Sequence, residues 1–181
     1  IDLGLVEFIL ILIISWYSCI WTFRGSSRRR FLLGRVEAQL TPYLPVTGKK
    51  TKPVKAQNIR QSIHDLDELI TLDQDGTQWH FMKGKAHQLV AEYEAALASF
   101  GEALQGDPDH GDLMNEYAVA AIELGDFDRA GKVLRKGIRI HPDHMALAGN
   151  EVLLNILTGK ISKASKLARK LQGRYPNEPM N

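Results

Sequence analysis

Residues 93–108, YEAALASFGEALQGDP, are followed 34 residues later by 127–142, FDRAGKVLRKGIRIHP, and after another 34 by 161–176, ISKASKLARKLQGRYP. In these three stretches Pro108, Pro142 and Pro176 share one phase, Ala96, Ala130 and Ala164 a second, and Tyr93, Phe127 and Ile161 a third. The triplet Pro108-Asp109-His110 returns as Pro142-Asp143-His144, and Gly125 and Gly159 also stand 34 apart. Independent triples at one spacing identify an internal repeat. Each element of it has a physical reason. If each repeat is a pair of helices, the alanines are expected where the two approach closely, with the bulky residue beside each as a knob. The prolines stop the second helix, and Asp109, Asp143 or Asn177 is then expected to cap the next. The glycines supply the left-handed conformation that ends the first helix.

With proline, alanine and aromatic in one 34-residue phase, the sequence resembles the tetratricopeptide repeat (TPR) family. Taken as 77–110, 111–144 and 145–178, the first repeat carries Gly84, Tyr93, Glu94, Ala96, Phe100, Ala103 and Pro108 of the family pattern. The second carries Tyr117, Ala118, Ala121, Gly125, Phe127, Ala130, Leu134 and Pro142. The third keeps Gly159, Ala164, Ala168 and Pro176 but has Glu151 and Asn155 where Leu and an aromatic are usual. The resemblance implies an all-α chain of helical hairpins stacked into a right-handed superhelix, each burying its apolar stripe on a neighbour.

The same resemblance implies peptide binding in the groove lined by the first helices. By register the groove holds Phe81, Met82, Lys85 and Gln88 in the first repeat, and Asn115, Glu116, Val119 and Ile122 in the second. Gly149, Asn150, Leu153 and Ile156 complete it in the third. The family's carboxylate clamp for chaperone tails needs a Lys/Asn/Asn/Lys/Arg set, and Phe81, Lys85, Glu116, Ala146 and Asn150 stand at those positions. The clamp is therefore absent, and an amphipathic helix or extended apolar segment is the ligand to expect.

Residues 58–72 fit the register one repeat earlier, Ile59, Ser62, Leu66 and Leu69 preceding Tyr93, Ala96, Phe100 and Ala103 by 34. Segment 56–76 is thus expected to be an orphan second helix, a half-repeat capping the stack, with Asp65, Asp67 and Glu68 on a polar outer face. At the other end the last helix has no cap. Exposure of part of Ala164, Leu167 and Leu171 is expected there, with missing sequence, an oligomer or a partner to cover it.

Upstream the composition changes. Residues 3–23, LGLVEFILILIISWYSCIWTF, hold one ionisable group, Glu7, and as a helix would reach about 32 Å, the thickness of a bilayer core. Segment 1–23 is expected to be an uncleaved transmembrane helix, with Trp16, Tyr17 and Trp21 as an aromatic belt. A signal peptide would need a basic start and a small-residue exit, and this segment has neither. Segment 24–55 carries a net charge of +8 and reads as a basic juxtamembrane stretch lying on the membrane surface, then an extended linker with Pro42, Pro45, Gly48 and Pro53. The positive-inside rule puts the repeat body in the cytoplasm, in a bacterial inner membrane.

The chain as a whole has 181 residues and a net charge of +2, which excludes wholesale attraction to nucleic acid. Residues 56–76 sum to −4, and 77–181 carry thirteen charges of each sign. Binding by the body is accordingly expected to rest on shape and apolar contact. The single cysteine, Cys19, rules out an internal disulfide framework or a Cys-based zinc cluster. His141/His144 and His80/His87 have spacings a metal could use, but two imidazoles fall short of a ligand set. No nucleophile motif or phosphate loop is present. The expectation is a non-enzymatic, membrane-anchored adaptor or scaffold without cofactor or metal, binding a protein partner in complex assembly or quality control. The layout is similar to that of a bacterial lipopolysaccharide assembly regulator, although that regulator's Cys-rich module is missing. The alternatives are a structural subunit of a larger membrane complex and an extracytoplasmic assembly factor of the cytochrome c maturation type.

Overall fold

The computed structural model describes residues 26–40, 42–43, 55–73 and 76–174. They form eight helices: α1 (26–40), α2 (Ala56–Leu72), α3 (Thr77–Leu89), α4 (Tyr93–Gly106), α5 (Gly111–Glu123), α6 (Phe127–Ile140), α7 (Met145–Leu157) and α8 (Ile161–Arg174). The fold is an all-α TPR-like array. Each of α3/α4, α5/α6 and α7/α8 is a hairpin, and α5 and α7, first helices of successive repeats, also touch.

The turn inside each hairpin is built the same way three times. In the first, the Glu92 N–H donates to the His87 carbonyl and the Ala91 N–H to Gln88. The pairs Asp126–Ala121 with Gly125–Ile122, and Lys160–Asn155 with Gly159–Ile156, repeat this pattern of a helix closed by one left-handed residue. That residue is Ala91 (φ 57°), Gly125 (φ 75°) or Gly159 (φ 71°), so an alanine occupies in the first repeat the conformation glycine takes in the others.

Small-to-large contact holds the helices together. A Cβ added to Gly84 would lie 2.4 Å from the ring of Phe100, which is wholly buried between α3 and α4. Ala96 and Ala130 are likewise fully buried, in one core with Leu113, Met114 and Leu134. Ile161 departs from its expected role. It is 56% exposed, because a residue in this phase packs toward a following repeat and no described helix follows α8. Ala164 and Leu171, expected on the open end, face α7 and are buried, and the exposed apolar residues there are Leu157 and Ile161.

The N-terminal half-repeat is a complete hairpin. The stretch expected to lie on the membrane and lead into a linker forms α1 over 26–40 and buries Leu32, Val36 and Leu40 against Ile59, Leu66 and Leu69 of α2. Antiparallel ion pairs join the two helices. Arg28 forks onto Glu68 at 2.7 Å, Arg29 reaches Asp73 at 2.6 Å, and Arg35 makes a bidentate pair with Asp65. Asp65 is therefore buried in the hairpin, where sequence placed it on an outer face. Three of the nine bases of the belt are thus spent on acids of α2 and on Asp73 just beyond it, which lie within reach of one face of α1.

The expected membrane span, 3–23, lies outside the described residues, as do Pro176 and most of the expected linker. Among the described residues no helix is long and apolar enough to cross a membrane.

Candidate functional site

The twelve groove residues named from register fall in four repeat phases on α3, α5 and α7, and of these Met82 packs against the α1–α2 core instead of bridging to α5. Two of the rungs are polar bridges between neighbours. Glu116 on α5 reaches back to Lys85 on α3 (Nζ to Oε2, 2.9 Å), and Asn150 on α7 donates through Nδ2 to Asn115 Oδ1 at 2.7 Å. These bridges fix the spacing of the first helices with side chains that are half-buried.

Along the wall the chemistry changes. The phase of Lys85 becomes Val119 and then Leu153, and that of Gln88 becomes Ile122 and then Ile156. Val119 and Ile122 are half-buried, whereas Leu153 and Ile156 are 42% and 50% exposed. With Met145 they form an apolar stripe along α7, and a Cβ added at Gly149 would meet nothing within 4 Å. At the opposite end Phe81 tilts against Phe100 (centroids 5.9 Å apart) and lines a hollow of about 440 Å³ with Thr77, Gln78, His110 and Leu113. The site offers apolar area, amides and one ion pair.

The histidines do structural work that sequence reasoning assigned elsewhere. His110 and His144, not the preceding aspartates, cap α5 and α7, each Nδ1 accepting from the backbone N–H three residues on. An accepting Nδ1 leaves the proton on Nε2, and His144 Nε2 lies 2.9 Å from Asp112 Oδ1, where it donates. His141 bonds the Asp109 carbonyl, and Lys136 bonds that of Pro108. The inter-repeat turns are thereby stitched together. Gly111 is required by this packing, since a Cβ there would lie 2.7 Å from the His144 ring. The signal in sequence was the repeated Pro-Asp-His triplet. His87, on α3, bonds Glu92 at 2.8 Å. Among the described residues no group of three or more His, Cys, Asp or Glu is placed to hold a metal ion.

A tetratricopeptide repeat family model matches residues 91–150. No curated protein matches the sequence. Solved structures that share the fold include a crystal structure of MamA, with a TM-score of 0.58 and 20% identity over 62% of this chain and 66% of that one. A MamA RS-1 double mutant gives a TM-score of 0.68 and 13% identity over 83% and 77% of the two chains. A MamA AMB-1 structure gives 0.60 and 12% over 87% and 95%. At these identities the likeness is one of fold. The tetratricopeptide repeat model thus covers residues 91–150, about a third of the chain, and helical hairpins of the same architecture lie on either side of them.

Proposed function

We propose that the chain is a membrane-anchored TPR adaptor that captures a protein partner in the α3/α5/α7 groove and holds it at the membrane, in complex assembly or quality control. The observation that carries this reading is the exposed stripe of Met145, Leu153 and Ile156 on α7, aliphatic area beside polar rungs that are already paired. An apolar stripe of this kind suits the apolar face of an amphipathic helix, read at i, i+4 and i+7 spacing. The apolar composition of 3–23 supports the anchor, and tethering raises the local concentration of whatever the groove holds.

The test is co-purification of the full chain in mild detergent, beside a Leu153→Glu/Ile156→Glu variant whose helicity is checked by circular dichroism. Both side chains are exposed, so the fold should survive while recovery of the partner falls at least about tenfold, 1.4 kcal/mol or more. Undiminished recovery would overturn the groove reading. The anchor is tested separately by alkaline extraction of membranes, which should leave the chain in the pellet. An Asn181→Cys variant with Cys19→Ser should react with impermeant maleimide only after the membrane is opened.

A further inference from the structure

The repeat body is neutral only as a sum. Residues 77–126 carry nine acids and two bases, and residues 127–181 eleven bases and four acids, so the body is split into an acidic and a basic half. α8 alone holds five bases and no acid. Two surface features sit on these halves.

Where the acidic half meets the basic one, α4, α5 and the start of α6, with Arg129, line an open cleft of about 530 Å³. Leu97, Ala98, Tyr117 and Leu124 give it an apolar lining, with Glu94 and Asp126 at its rim. Asp126 is paired with Arg129 at 3.1 Å, so exposed Glu94 is the carboxylate that presents charge outward. The cleft one repeat later is lined by the equivalent residues and is a different place. It measures about 80 Å³, Tyr117 is replaced by Glu151 and Leu124 by Thr158, and Lys163 closes onto Glu151 at 3.3 Å. The same backbone position is thus open and apolar in one repeat, small and polar in the next.

On the basic half, the α7–α8 turn carries Leu157 and Ile161, 48% and 56% exposed, on either side of Lys160. It is an aliphatic knob with a cation at its centre. We infer that this knob docks into the α4/α5/α6 cleft of a second copy of the chain, Leu157 and Ile161 against the apolar lining and Lys160 toward Glu94. Charge complementarity favours this occupant, because the chain supplies both the acidic and the basic half in equal measure. Knob and cleft lie on different surfaces, so the contact is heterologous and the assembly grows head to tail. The inference does not rest on the groove, and α7's Leu153 and Ile156 remain available to another partner.

Sedimentation equilibrium of the full chain in mild detergent tests it. The average mass should rise with protein concentration and fall as salt is raised. Ile161→Asp disables the knob and Ala98→Arg the cleft. Both positions are exposed, so circular dichroism should be unchanged while the association constant falls at least about tenfold. A mixture of the two variants should stop at one-to-one pairs, since one retains a cleft and the other a knob. Mass that does not depend on concentration overturns the inference. So does association indifferent to both variants, or a mixture that assembles beyond pairs. Adsorption to anionic vesicles that is lost in Lys166→Glu/Lys170→Glu, with no self-association, would assign the basic half to lipid and also overturn it.

Discussion

The α1–α2 and α3–α4 hairpins bury similar apolar stripes and are specified by different physics. In α3–α4 a three-residue turn forces the helices together and shape decides the contact, with Gly84 against the Phe100 ring and Ala96 at the crossing. In α1–α2 residues 41–55 separate the helices, Leu66 stands where Phe100 does, and buried Ser62 replaces the alanine and donates to Gln39 at 2.6 Å. Orientation there falls to ion pairs, Arg35–Asp65 in the middle and Arg28–Glu68 and Arg29–Asp73 toward one end. A long connection leaves the register of two aliphatic stripes open, and charges at fixed spacing settle it.

Breaking the shape-specified hairpin should cost more. Gly84→Ala places a methyl group inside the van der Waals envelope of a ring with no room to move, and a loss of about 3 kcal/mol is expected by denaturant titration. A matching Phe100→Leu should recover part of it, since the ring is what the methyl group meets. In the charge-specified hairpin, Arg35→Leu strands Asp65, whose side chain is 1% exposed, with only the Gln61 amide at 3.0 Å for company. About 2 kcal/mol should be lost, below the usual value for a fully buried pair because Arg35 is itself a third exposed. Arg35→Leu combined with Asp65→Leu should restore most of it.

The contrast also explains what could be read from sequence. Repeats with short turns keep the 34-residue phase, so the hairpins of α3 to α8 and their small positions were legible from phased proline, alanine, glycine and bulky residues, while the groove positions followed only from the family resemblance. α1 was not, because the connection of 41–55 displaces it from the period, and its arginines, 30 to 44 residues from their acids, looked like charges for lipid headgroups. The groove residues were named by register. Their exposure was less legible, since register places a side chain on a face without saying how closely the neighbouring helix covers it. The caps were missed because aspartate precedes histidine in each turn and is the commoner cap.

A finer comparison runs between the turns. Ala91, Gly125 and Gly159 hold the same left-handed conformation, and only alanine is strained by it. Ala91→Gly should stabilise the chain by about 0.5–1 kcal/mol, while Gly125→Ala should cost about 1 kcal/mol, both measured as shifts in denaturation midpoint. Equal and small effects at the two sites would mean that the closing hydrogen bonds, not the residue, set the turn.

The smallest effect is the dependence of the N-terminal hairpin on acid. Arg28 holds the Glu68 carboxyl below its ordinary range, chiefly through their hydrogen bonds. A carboxylate whose folded pKa is depressed contributes stability that is complete above the unfolded value and disappears as pH falls through the folded one. The raised Arg28 pKa adds nothing in this window, because arginine stays charged on both sides of unfolding. Melting of the wild type should therefore sharpen its acid dependence below the ordinary glutamate range, and Glu68→Gln should remove that increment while leaving the neutral-pH fold intact. The pair is exposed, so about 0.15 M salt should already weaken it. Since α1 follows the apolar 3–23 stretch in sequence, the same titration would loosen the helix that joins that stretch to the repeats.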